Sequence, residues 1–188
     1  DEPDIKKHHP KFDFDKIRNC DQKNIHNVVC QEYRKYLPSN DEDYWVIPYS
    51  IMKSNNNNIY GLIFVSKHIR GADKFLDITW KMNETNGSAN FDIKEEFKKS
   101  QLHLFNEPLP SQIEAFKKSL EELIFRKKLI TNKEIYIYTL RQGHIPRHAK
   151  DKLVEMKNNK LIDFGKYSPW ISYDKIFNEN KIKEIRVL

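Results

Sequence analysis

Long apolar runs are missing from this chain of 188 residues. No stretch approaches the roughly 18 residues of a membrane-spanning helix, which excludes a transmembrane role by helices. No signal-peptide pattern is visible, and a cytoplasmic location is expected. Cysteine is scarce, with Cys20 and Cys30 alone. Two thiols make no disulfide framework for this length, and their spacing to His8, His9 or His26 fits no zinc pattern, so no metal site is expected. Glycine is scarce as well: Gly61, Gly71, Gly87, Gly143 and Gly165 never approach a G-x-G spacing. No phosphate-cradling loop can be argued from them, and no cofactor-binding residue is assigned. The chain opens on Asp1 rather than Met, which is expected of a fragment or a processed protein.

Apolar residues make up 38% of the chain and aromatics 12%, enough to fold around a core. The net charge of +6 is unevenly spread. Residues 1–130 hold 21 Lys and Arg against 20 Asp and Glu, while residues 131–188 hold 12 against 7. Nearly all the excess positive charge therefore lies in the last third. Phosphate backbones reward such a concentration through counterion release.

That last third also has the most informative local pattern. Gly143-His144-Ile145-Pro146-Arg147-His148-Ala149-Lys150 reads as a tight turn followed by a helix opening on proline. Thr131 or Asn132 caps the helix before it. Ala149, Leu153 and Met156 form the buried stripe of the second helix, leaving Arg147, His148, Lys150, Asp151, Lys152 and Glu155 on its outer face. Residues 161–164 and 170–173 are expected to pair around Gly165 as a wing, with the alternating end, residues 183–188, completing the small sheet. Upstream, Pro108 and Pro110 mark a boundary. Ser111 with Glu114 is a capping box for a helix carrying Ile113, Phe116, Leu120, Leu123 and Ile124. The order is that of a winged helix-turn-helix, whose second helix usually enters a DNA major groove.

The first part reads differently. Residues 1–15 look like a tail. Residues 22–37 form an amphipathic helix on Ile25, Val28, Val29, Tyr33, Tyr36 and Leu37, ended by Pro38 and the acidic run Asp41-Glu42-Asp43. Residues 44–52 and 59–67 are strand-like, with a turn at 55–58 that makes them a hairpin. The second strand is apolar almost throughout and wants cover on both faces. A helix over 73–82 turns Phe75, Leu76, Thr79 and Trp80 inward. Residues 83–90 form a loop with Asn86-Gly87.

Two stretches resemble a known family. Residues 59–82, IYGLIFVSKHIRGADKFLDITWKM, are similar to a segment of the three-Cys-motif partner proteins, where a strand of the form IYYLIFATNH runs into a helix ending in WK and then an Asn-Gly loop. Residues 131–162, TNKEIYIYTLRQGHIPRHAKDKLVEMKNNKLI, resemble the C-terminal winged helix of that family. The resemblance implies an α/β (α+β) protein in three parts. A tail spans 1–15; residues 16–107 hold a helix and hairpin from the end of a methyltransferase-like domain; a winged helix-turn-helix domain spans 108–188. It also implies a bacterial or mobile-element protein working beside a radical-SAM-like partner. The family's N-terminal half, with its glycine-rich cofactor turn, has no counterpart here. S-adenosylmethionine is expected only where such a half is present, and no catalytic residue is carried over.

Other chemistry is weakly supported. Glu96-x-Lys98 resembles half of a nuclease motif, but such pairs abound in a chain that is 32% charged, and no Pro-Asp strand precedes it. His68, Arg70 and Asp73 follow a strand, where α/β active sites often lie, yet they read equally as surface groups at a helix start. The expected function is non-catalytic binding of nucleic acid, double-stranded DNA above all. Arg147 and His148 are the candidate base readers; Lys150, Lys152, Lys160 and Lys166 are the further contacts. The alternatives are the C-terminal part of a methyltransferase, or a scaffold whose apolar hairpin recruits a partner chain or a second copy.

Overall fold

A computed structural model describes residues 7–20, 25–37, 44–52, 59–90, 111–166 and 168–188. The expected turn at 55–58, the acidic helix stop at 41–43, the prolines at 108 and 110 and the Glu96-x-Lys98 pair lie outside the described residues.

The described part of the N-terminal segment is packed rather than a loose tail. Asp13 caps helix α1 (Phe14–Arg18) by accepting from the Lys16 amide at 3.0 Å. Phe12 stacks on His9 and meets Tyr33 of helix α2 (Ile25–Arg34) edge-on at 5.0 Å. The Asp13 amide donates to the buried Glu32 carboxylate at 2.9 Å. Lys35 and that amide hold Glu32 below the usual carboxylate range. This packing explains why the buried face of α2 departs from the expected stripe. Tyr33 and Tyr36 turn toward residues 9–12 and stay part-exposed, while His26, Cys30 and Glu32 are buried. Gly61 meets this face closely, since a Cβ there would lie 3.2 Å from the His26 Cβ.

Strands β1 (Trp45–Met52) and β2 (Ile59–Ser66) pair antiparallel, with Trp45 opposite Ser66 and Met52 opposite Ile59. The outer edge of β1 is covered where Ser50 exchanges backbone hydrogen bonds with Ser88 and Asn90. Among the described residues β2 meets α2 at Gly61 and its Phe64 stacks on Phe75, while Tyr60 is 52% exposed and Val65 49%.

Helix α3 (Ile69–Met82) starts four residues earlier than expected, because the His68 imidazole accepts from the Arg70 amide at 3.2 Å and caps it. One side packs on the hairpin, with Phe75 stacked on Phe64 at 4.4 Å. The other carries Ala72, Leu76 and Trp80 into the core of the C-terminal region.

That region holds helices α4 (Gln112–Phe125), α5 (Asn132–Arg141) and α6 (Pro146–Asn158). Ser111 caps α4 by accepting from the Glu114 amide, and Thr131 forms a full capping box with Glu134 on α5. Gly143 turns the chain at φ +75°. Phe116, Leu120, Ile135, Leu140, Leu153 and Met156 are buried in one core that also takes Trp45, Leu76 and Trp80. The protein is α+β, with a winged helix-turn-helix at its C-terminal end.

The wing needs one correction. Strand β3 (Ile162–Asp163) pairs with β4 (Arg186–Val187), not with residues 170–173. Trp170 takes a left-handed φ of +46°, which breaks an extended run, and Asp174–Asn178 form a single π-helical turn with Tyr173 stacked on Phe177. The buried Asn132 ties this excursion down. Its amide donates to the Trp170 and Lys181 carbonyls at 3.3 and 2.9 Å and its oxygen accepts from the Lys183 amide at 2.8 Å. Asn132→Ala would orphan these groups and is expected to lower stability by about 2–4 kcal/mol in urea titration. An unchanged midpoint would contradict that role.

Candidate nucleic-acid interface

Helix α6 forms because Pro146 fits its first turn and apolar residues recur at 149, 153 and 156. Those three residues are fully buried. The opposite side exposes Arg147, Lys150, Asp151, Val154 and Asn158; Arg147, Lys150, Val154 and Asn158 follow one another at three- and four-residue steps, with Asp151 beside Lys150. The Arg147 side chain is 82% exposed, and its ion pair among the described residues is a long contact to Asp151 at 3.9 Å. Lys150, Lys160 and Lys166 are exposed and form no ion pair among the described residues.

Two of the six expected contact residues lie elsewhere. His148 is only 9% exposed and presents its ring edge-on to Trp80 at 4.4 Å. Lys152 is 7% exposed and reaches Glu121 at 2.9 Å and Glu155 at 2.7 Å. Burial alone would depress the Lys152 ammonium, but the two carboxylates outweigh it and hold it above its ordinary value. The outer face expected to include both is thus corrected: 148, 152 and the buried Met156 lie at four-residue steps, on the side that packs against α3 and α4.

His148 belongs to a buried polar pair. Its Nδ1 lies 3.1 Å from Nδ1 of His144, so one ring donates and the other accepts. His144 stacks on Phe116 at 4.2 Å. Burial, helped by the His148 charge, drives His144 down to about 3. Burial likewise lowers His148 to about 4, with Lys117 and Arg147 adding to it and Asp151 opposing it. Both imidazoles are neutral at pH 7.

The wing is fastened to the same helix. The Lys157 ammonium contacts the Gly165 carbonyl and sits 4.4 Å from the Phe164 ring centroid. Gly165 adopts φ +84°, and its amide donates to Asp163 at 2.9 Å. Lys166 follows directly. Arg147, Lys150, Lys160 and Lys166 thus carry four cations on α6 and the chain that leaves it. Beside Arg147 a cleft of about 710 Å³ opens between α3, α4 and the start of α6. Its walls mix Lys74, Lys81 and Lys117 with Asp77, Glu114 and Asp151.

The other group of candidates is engaged structurally. His68 caps α3, Arg70 pairs with Asp174 at 3.3 Å and covers the Tyr173 ring, and burial raises the Asp73 carboxyl beside the Tyr136 hydroxyl.

Val154 and Asn158 complete the outer stripe of α6 and were not singled out from the sequence, where only charged positions stood out. The signal was available: both follow Lys150 at four-residue steps, opposite the buried 149, 153 and 156.

Three helices in this order, a glycine turn and a closing two-stranded sheet define a winged helix-turn-helix. Residues 92–164 match the family model described as the GMT-like wHTH domain. No curated protein and no solved structure matches this chain. The matched span ends at Phe164 and leaves out Trp80, Lys166 and β4. No helix among the described residues is long and apolar enough to cross a membrane.

Proposed function

We propose that the chain binds nucleic acid, double-stranded DNA in particular, by laying α6 into a groove with the turn at Gly165 beside it. The carrying observation is the exposed stripe Arg147, Lys150, Val154 and Asn158, flanked by Lys160 and Lys166. Arg147, at the first turn, is suited to a base edge; Val154 offers an apolar contact of the kind that thymine methyls accept; Asn158 can meet adenine. Lys150, Lys160 and Lys166 serve phosphates. Asp151 weakens this face, so Asp151→Asn is expected to tighten binding roughly 3–10-fold at low salt. A looser complex would count against the assignment of the face.

Fluorescence anisotropy with a random-sequence duplex across a salt series tests the reading. Four cations on phosphate or base imply a slope of about −3 to −4 in log affinity against log salt. No binding at about 50 mM salt would sink it. Lys152→Met should leave that slope unchanged while lowering stability, since Lys152 already serves Glu121 and Glu155.

A second reading is favoured by β2. Its residues Ile59–Ser66 carry no charge, and its outer edge has no backbone partner among the described residues. Natural sheet edges are usually shielded by charge, proline or cover. This supports the hairpin as part of a larger methyltransferase-like sheet, as the resemblance to the three-Cys-motif partner proteins implies. Equilibrium dialysis against S-adenosylmethionine tests it: retention of the ligand would favour it, and none would remove that role from this chain.

A further inference from the structure

We infer that Trp80 of α3 is a positioning residue for the recognition helix, fixing the turn from which Arg147 and Lys150 project; this rests on the nucleic-acid reading above. Trp80 precedes the span matched by the winged-helix family model, so it lies outside the module as usually bounded. Its indole Nε1–H donates to the Gly143 carbonyl at 2.8 Å. Gly143 is the left-handed residue of the helix-turn-helix turn, and it offers no side chain to hold that turn from within. The same indole packs against His148, in the first turn of α6, and lies 5.2 Å from His144. His144 in turn stacks on Phe116 of α4.

A loop holds the ring as well. A Cβ on Gly87 would overlap Nε1 and Cε2 of Trp80, so this loop glycine lies directly against the indole. The loop is itself braced, because the Asn86 side chain accepts from the Ser88 amide and the Asn83 side chain from the Asn86 amide. Trp80 is 3% exposed and has little room to move. A chain of contacts therefore runs from the loop at Gly87 through the indole to the turn and the first residues of α6. Ile145, the N-cap of α6, makes no side-chain capping bond, so the start of the helix lacks the local brace that Thr131 gives α5. The indole bond to the preceding turn supplies a tertiary brace instead.

The test uses the full chain and two variants. Trp80→Phe keeps a ring and deletes the donor. Gly87→Ala keeps the indole and displaces it. NMR-detected hydrogen exchange is the first readout. Amides of His144, His148 and Ala149 should exchange at least roughly tenfold faster in both variants, with the middle of α4 unchanged. The second readout is a double-mutant cycle on duplex affinity. Arg147→Ala should cost roughly tenfold or more in the wild-type background and less than about threefold beside Trp80→Phe. A purely structural role would leave the cost of Arg147→Ala the same in both backgrounds. Leu76→Ala, one turn earlier on α3, is the control: it should lower the melting temperature and leave that cost intact. Unchanged exchange at the start of α6 overturns the inference, as does an additive cycle. If the wild-type protein binds no duplex, the nucleic-acid reading falls separately, and the exchange result alone decides whether Trp80 sets the helix.

Discussion

Acidification from pH 7 to pH 5 is expected to remove about 4 kcal/mol of folding stability, a large share of the roughly 5–15 kcal/mol typical of a domain. The cause is the His144–His148 pair. In the folded protein these rings titrate at about 3 and about 4, against an ordinary value of 6.5. The unfolded chain therefore binds protons first. The contribution of each ring is fully present above pH 6.5, falls as pH drops below that value, and is exhausted once pH passes the folded value. Each histidine accounts for about 2 kcal/mol of the loss at pH 5. The groups facing the pair do little to rescue it: Asp151 favours the charged His148, but Lys117 and Arg147 oppose it. Carboxylates with lowered folded values, Glu32 and Glu134, lose their contribution only at more acidic pH. Urea titrations at pH 7 and pH 5 check the expectation, and His148→Gln should shrink the difference to about half. A midpoint that is flat between the two pH values would mean that the rings are not held neutral by burial.

The second large effect concerns binding. Arg147→Ala combined with Lys150→Ala is expected to weaken duplex affinity roughly 30- to 1,000-fold at low salt, because one base contact and one phosphate contact are lost together. The salt slope should shrink by about one unit for the Lys150 phosphate. Both side chains are exposed and neither serves the core, so the melting temperature should stay within a degree or two. Anisotropy and thermal melting of the same preparation separate the two quantities. Affinity within about twofold of wild type would move the interface away from α6.

The winged helix was legible because its local signals agree. Thr131, Gly143 and Pro146 each sit where a cap, a left-handed turn and a first helical turn require them. The apolar steps at 149, 153 and 156 also gave the buried side of α6. The polar members of that side were harder to read. His148 and Lys152 look like surface groups by residue type, and only their alignment with Met156 marks them as inward. Their partners, Trp80 and Glu121, are distant in sequence, and periodicity carries no such information. The wing partner failed for a related reason. Residues 170–173 are strand-like in composition, but Asn132, far upstream, ties the Trp170 and Lys181 carbonyls and diverts the chain. The face of α2 departs from its apolar periodicity because residues 9–12, which carry no helical or strand pattern, pack against Tyr33 and Tyr36.

The interface itself is tested most directly by hydrogen exchange of the protein with and without a short duplex at low salt. New protection is expected along the outer stripe of α6, at Lys150, Val154 and Asn158, and at the turn carrying Gly165 and Lys166. Protection centred on β2 or α2, with α6 unchanged, would contradict it.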